Sequence, residues 1–390
     1  MSFEENHASN GSQWARSARM FDPETVETEF NMNTLTNLPP DQLDRVWSSW
    51  ARKEGMKRFG KALSKRSLCL HGGRAALSLV IHDVELASLV HHEATIHSGS
   101  NTLHITCHDD IYFAPDAKEW RQAIQRHRTT QPYFRDLQRD LGSLEQVSLP
   151  EINFYTLYIA IVEIAARACN ERADGTLYDM DAFSRYSRKL ICWYRSHKQV
   201  AASDQDDPFC LMIYWHALFI YISVDMNRLE MAIGRDREGT TTYLDHVNYA
   251  RLWASTAAAK RAVIHAYLLQ KRLGARRIDQ EPAIHVPRAI FHASLAVYHY
   301  AQNGGWTEMR DIGDRDNNLD FEEIKLLGHN PLKILCEIHG FRRQKPAPSE
   351  TAVLCALHDV LQRFGHWGIA KEFANILDVL IFDESGHGVG

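Results

Sequence analysis

Apolar residues recur three and four positions apart along most of the chain, the period of a helix that buries one face. Pro39-Pro40 and then Asp41, placed to cap, open the first such stretch, in which Trp47, Trp50, Glu54 and Arg58 share a face. Residues 75–91 place Leu79, Val80, Asp83, Val84, Ala87 and Val90 at helical spacing. Asp116 is set to cap a short helix through Trp120 and Ile124. Longer periodic segments run from Ile152 to Cys169 and from Met180 to Tyr194. Asp207-Pro208 predicts a third helix start, with Pro at the first helical position, and this helix is expected to run unbroken to Gly234. The longest predicted helix covers 245–273, with Gly274 as its stop. Further helices are expected over 289–301, near 331–339, over 350–364 and over 368–381. LHITC at 103–107 is the one candidate strand. No fixed repeat or heptad array is present. The predicted fold is all-α, an irregular multi-helix array with no substantial sheet. Residues 1–40 read as a disordered lead-in, 41–381 as the helical body, and 382–390 as a flexible tail.

Phe209 to Val224 is nearly all apolar, which raises the question of a membrane span. It is shorter than the roughly 20 residues a span requires and His216 interrupts it, so a buried core helix is the reading. The 390 residues, 45% hydrophobic and 24% charged, suffice to bury a sizeable core. A net charge of −5 argues against a chain that binds nucleic acid over its whole surface. Seven cysteines with no C-x-x-C pair, and no apolar signal segment at the start, point to a reducing compartment.

Candidate chemistry is sparse. HHEATIH at 91–97 falls short of a zincin motif, because the position four after His92 is Ile96; it reads as a helix end with solvated imidazoles. His265, His292 and His299 read as core or interface histidines. DRDNNLDFEE at 314–323 opens like a calcium loop, but Leu319 replaces the loop glycine and Lys325 the closing glutamate. His71-Gly72-Gly73 has no G-x-S-x-G to serve. Lys53, Lys57, Lys61 and Lys65, with Arg52, Arg58 and Arg66, form a basic stripe that suits a solvated helix face, a phosphate-contacting surface or an import patch. No catalytic, cofactor or metal residue is assigned.

Six segments nevertheless resemble, in order, the regulatory (middle homology) domain of fungal-specific transcription factors. IHDVELASLVHHEATI (81–96) carries Asp83 and Glu85, and IYFAPDAKEW (111–120) carries Trp120. FCLMIYWHALFIYISVDMNRLEMAIGRD (209–236) carries Trp215, Asp225, Glu230, Gly234, Arg235 and Asp236. WASTAAAKRAVIHAYLL (253–269) carries Trp253, Lys260, Arg261 and His265. EPAIHVPRAIFHASL (281–295) carries Pro282, His285, Pro287 and Arg288, and FGHWGIAKEFANIL (364–377) carries Gly365, Trp367 and Gly368. The resemblance implies a nuclear regulator of transcription that is not an enzyme and takes transcription machinery or regulatory proteins as partners. It leaves room for a small-molecule effector and a homodimer, and it implies no membrane. In that family DNA is read by an upstream zinc module. Residues 1–68 hold no cysteine, so zinc and DNA contact are expected only through a module this chain lacks.

The matched residues read physically as structural: Trp120, Trp215, Trp253 and Trp367 as core anchors, Asp225 and Arg235 as partners of neighbouring helices, Pro287 as a helix start, and Gly365 with Gly368 as a tight turn where Trp367 docks. Two other function classes remain open: a small-molecule-sensing helical domain, and an all-α metal hydrolase built on the dipeptides His82-Asp83, His108-Asp109 and His358-Asp359.

Overall fold

The structure, a computed structural model, describes residues 38–58, 72–96, 109–126, 154–201, 207–235, 240–276, 281–303, 319–339 and 351–382. No strand occurs among the described residues, so the chain is all-α. In order the helices are α1 (Pro40–Arg58), α2 (Gly72–Val90), α3 (Asp109–Tyr112), α4 (Ala117–Arg126), α5 (Phe154–Ala173), α6 (Met180–Ala201), α7 (Leu211–Ser223) and α8 (Met226–Glu230). They continue with α9 (Thr241–Ala254), α10 (Ala257–Ala275), α11 (Val286–Gln302), α12 (Glu322–Leu326), α13 (Pro331–His339), α14 (Ala352–Arg363) and α15 (Gly368–Phe382). The candidate strand at 103–107, the side chains of the basic stripe, residues 1–37 of the lead-in and 383–390 of the tail lie outside the described residues.

Two compact units divide the chain: residues 1–51 with 110–128, and residues 52–109 with 129–390. In the first, the Trp50 and Trp120 rings pack with centroids 5.1 Å apart, and Trp120 is fully buried. Asp116 caps α4 as expected, its carboxylate accepting from the Glu119 N–H at 2.8 Å.

The second unit is organised around α7. Every residue of this helix is buried, so it has no solvent face and other helices must surround it. Leu211, Tyr214, Trp215, Leu218 and Ile222 join one core with α2, α5 and α6. Ile213, Ala217 and Ile220 join a second with α9, α10, α11, α14 and α15. A third, smaller cluster sits between α10, α12 and α13. No described helix is long and apolar enough to cross a membrane.

Three predicted boundaries are corrected. α7 starts at Leu211, not at Pro208: Asp207 accepts from the N–H groups of Phe209 (3.1 Å) and Leu211, which winds a turn first, and Cys210 enters the helix with a left-handed φ of 52°. The helix expected to run unbroken to Gly234 is interrupted, because Val224 is extended (φ −156°, ψ 145°) and Asp225 caps α8 through the Arg228 N–H at 3.3 Å. The break leaves the Ser223 carbonyl to accept from Trp253 Nε1 at 3.1 Å, while the Asp225 N–H donates to the Tyr249 hydroxyl at 2.9 Å. After α8 a π-turn, Met231–Arg235, ends where Gly234 takes a φ of 94°. The predicted 245–273 helix is two helices: Thr256 accepts from the Ala259 N–H at 3.1 Å and restarts the chain as α10, which runs one residue past Gly274. A capping threonine in an Ala-rich run is easily lost in the periodicity.

Thr256→Ala removes that cap and is expected to lower stability by about 1 kcal/mol, whereas Thr256→Asp should be near neutral; urea unfolding followed by circular dichroism measures both.

Candidate functional site

Around α7 the apolar core encloses three clusters of polar and ionic side chains. In the first, Glu85 of α2 meets Arg288 of α11 in a two-pronged pair, Nε to Oε2 at 2.8 Å and Nη2 to Oε1 at 2.7 Å, across 203 residues of sequence. Both side chains are buried. Burial alone would push the Glu85 carboxyl up, but the Arg288 guanidinium outweighs it and holds the pKa below the ordinary value. Next to the pair, His285 stacks on Tyr214 at 4.4 Å. Its Nε2 lies 3.3 Å from the Cys210 carbonyl, an acceptor only, so that nitrogen carries the proton and Nδ1 accepts from the Tyr158 hydroxyl at 3.1 Å. Burial, partly offset by Glu85, lowers the His285 pKa to about 4, so the ring is neutral at pH 7.

The second cluster centres on Glu230, at the end of α8. His91 Nε2 lies 3.0 Å and His292 Nε2 3.5 Å from its Oε1, while Arg235 Nη1 donates to Oε2 at 2.6 Å. Burial raises the Glu230 pKa, but pairing with the two histidines overrides it and the carboxyl stays ionised far below its usual range. Burial lowers His292 to about 4. His91 ends α2 in the left-handed region, φ 58°, and the His92 N–H returns to the Ala87 carbonyl at 3.0 Å, a Schellman-type closure usually given to glycine. Arg172 of α5 braces the same end. It donates to the carbonyls of Ala87 (3.2 Å) and His92 (3.0 Å), and its Nη1 lies 3.3 Å from His91 Nδ1. The helix end was expected, but its imidazoles are not all solvated: His91 is buried against Glu230. Asp83 holds the chain beyond the turn, accepting from the Thr95 hydroxyl and, at 2.9 Å, from the Ile96 N–H.

The third cluster links α7, α10 and α12. His216 Nδ1 and His265 Nδ1 are 2.9 Å apart, His265 stacks on Phe219 at 4.5 Å, and its Nε2 lies 3.7 Å from Glu323. Glu323 also accepts from Arg261 Nε at 2.8 Å, and that guanidinium is sandwiched between the Phe183 and Phe321 rings. The carboxylate favours a proton on His265 Nε2. His265 Nδ1 then accepts from His216 Nδ1–H, and the His216 Nε2 is left as a lone pair with no partner. Burial first, then the fields of His265, Arg272 and His329, press the His216 pKa well below its ordinary value.

The remaining family-motif residues are placed as follows. Trp215 Nε1 donates to the Leu190 carbonyl at 2.9 Å, and Trp253 is buried against the α7–α8 break. Lys260 and Pro282 are buried, and Pro287 sits in the first turn of α11, as expected. Trp367 is half-buried, not a full core anchor; its Nε1 donates to Glu281 at 2.8 Å. The turn between α14 and α15 is tight, and a Cβ at Gly365 would meet the Gln362 carbonyl oxygen at 3.0 Å; Gly368 is exposed. Arg235 was expected to pair with a neighbouring helix but pairs with Glu230 of its own segment, and Asp225 accepts from Arg228 of the helix it caps. Asp236 lies outside the described residues. Sequence reading missed the roles of His91, Arg172, His216 and Glu323. The one available signal was His216, a lone imidazole inside an apolar run.

Of the dipeptides considered for metal hydrolysis, Asp83 serves the turn at 95–96 and His358 Nε2 pairs with Asp378 at 2.9 Å; His108 lies outside the described residues. No group of three or more His, Cys, Asp or Glu that could hold a metal ion occurs among the described residues. No protein-family model, curated protein or solved structure matches the chain.

Removing one member of the buried pair strands the other. Glu85→Leu and Arg288→Met are each expected to cost about 3–5 kcal/mol, while the double variant Glu85→Leu/Arg288→Met recovers most of that loss, as a double-mutant cycle by urea unfolding would show.

The buried histidines also set a pH dependence. A histidine depressed in the folded state stays neutral there while the unfolded chain takes up its proton, so stability is full above about pH 6.5 and falls towards pH 4 by about 1.4 kcal/mol per histidine per pH unit. His285, His292 and His299, each lowered to about 4, act together over that window. Below the ordinary glutamate value of 4.5, loss of Glu85, Glu230 and Glu323 pairing adds to the fall. His299 Nε2 lies 3.0 Å from the Leu229 carbonyl, a contact an amide can replace, so His299→Gln should unfold at pH 5 with about one proton less taken up.

Proposed function

We propose that the chain is the regulatory and interaction domain of a fungal RNA polymerase II transcription factor, acting in the nucleus through contacts with transcription machinery or regulatory proteins. DNA is read, on this proposal, by a separate zinc-bearing module, and zinc belongs to that module. One observation carries the reading: several of the residues that resemble the family's motifs brace distant segments to one another. Glu85 of the 81–96 segment binds Arg288 of the 281–295 segment. Trp253 of the 253–269 segment closes the break within 209–236, and Trp367 of the last segment reaches Glu281 at the start of the fifth. A motif set that recurs because it maintains a fold is expected to pair in this way, whereas six chance matches have no reason to do so.

A helical body of this kind works by presenting surfaces and transmitting contacts, so the test is transcriptional. Fused to a foreign DNA-binding domain, the chain should enter the nucleus and raise or lower a reporter at least several-fold. An Arg288→Met fusion should lose that effect in step with its stability. A stably expressed wild-type fusion with no nuclear entry and no change in reporter output would remove the proposal.

A further inference from the structure

An open cleft of about 610 Å³ lies beside the third cluster, between α10 and the chain that turns from α12 into α13. Its volume falls within the range of small-molecule sites. Gly328 makes the turn at its rim, with a φ of 79° that favours glycine. Leu268, Leu327 and Ile334 supply apolar lining. Lys271 and Arg272 enter from α10, Lys333 from α13 and His329 from the turn. Lys271 and Lys333 therefore share the cleft with one carboxylate, Glu337, which already accepts from the Tyr267 hydroxyl at 2.7 Å. His216 also lines the cleft, fully buried, with Nε2 unpartnered.

We propose that this cleft binds an amphipathic organic anion, a carboxylate or phosphate head on an apolar body, with the head between Lys271 and Lys333 and the body on Leu268, Leu327 and Ile334. The argument is complementarity. Cations from two facing helices converge over apolar side chains, and a cleft with an excess of one sign attracts the opposite charge. An anion held there bridges α10 to α13, with the buried His216 as part of the cleft lining. A neutral body lacks the head, and a cation of the same shape meets repulsion. The inference stands independently of the transcriptional reading, since it asks for binding alone.

The test uses the purified full chain and 8-anilinonaphthalene-1-sulfonate as a fluorescent amphipathic anion. Saturable binding at one site is expected, with displacement by decanoate and by phenyl phosphate. Decyltrimethylammonium, with the same tail and the opposite charge, should not displace the probe. The Lys271→Met/Lys333→Met variant should weaken binding at least tenfold; both side chains are exposed, so the variant should keep the wild-type unfolding midpoint. Lys371→Met, an exposed change on α15, should leave affinity unaltered. Which of decanoate and phenyl phosphate displaces at lower concentration assigns the head as carboxylate or phosphate. Non-saturable binding, equal displacement by the cation, or full affinity in the double lysine variant would each overturn the proposal.

Discussion

The whole larger unit depends on one constraint: α7 has no face for water. Thirteen consecutive buried residues cannot be covered by one partner helix, so α5 and α6 close on one side and α10 and α11 on the other. The dense packing this demands also traps polar atoms. Trp215 Nε1, the Ser223 hydroxyl, the Tyr214 ring and the His216 imidazole all travel with the helix into the core. Each must be met by a carbonyl, a stacked ring or an ion, since an unmet buried polar group costs about 1–3 kcal/mol. The pairing of His216 with His265 thus follows from making α7 the centre.

Much of this was legible in the sequence, and the limits of that legibility are physical. Periodicity reports which residues share a face, so it located α5, α6, α11, α13, α14 and α15 and identified 209–224 as interior. It reports poorly on where a helix pauses. The breaks at Val224 and Ser255 preserve the apolar pattern on both sides and are set by single hydrogen bonds, one donated by Trp253 and two accepted by Tyr249 and Thr256. Pairings such as Glu85 with Arg288 are not encoded in local spacing at all. The family resemblance pointed to both residues without saying that they touch.

The clusters divide labour by charge. Glu85–Arg288 is a closed pair whose two hydrogen bonds are internal, so it fixes α2 against α11 and offers nothing to a ligand. Glu230 gathers partners from α2, α11 and its own π-turn and ties three segments at one oxygen pair. The His216–His265–Glu323 chain alone runs to an opening, ending in an imidazole nitrogen beside a cationic cleft. Rigid ties stand at two places and an open end at the third, so the proposed anion would meet α10 and α13 and not the α2–α11 frame.

The left-handed turn at His91 joins local chain geometry to long-range pairing. Glycine would adopt that backbone with less strain, yet it would take away one of the two imidazoles at Glu230 Oε1 and one of the three groups that Arg172 reaches. The end of one helix, a guanidinium on another and a carboxylate more than a hundred residues downstream are thereby locked into a single choice. A change at position 91 therefore acts at Arg172 and at Glu230 together.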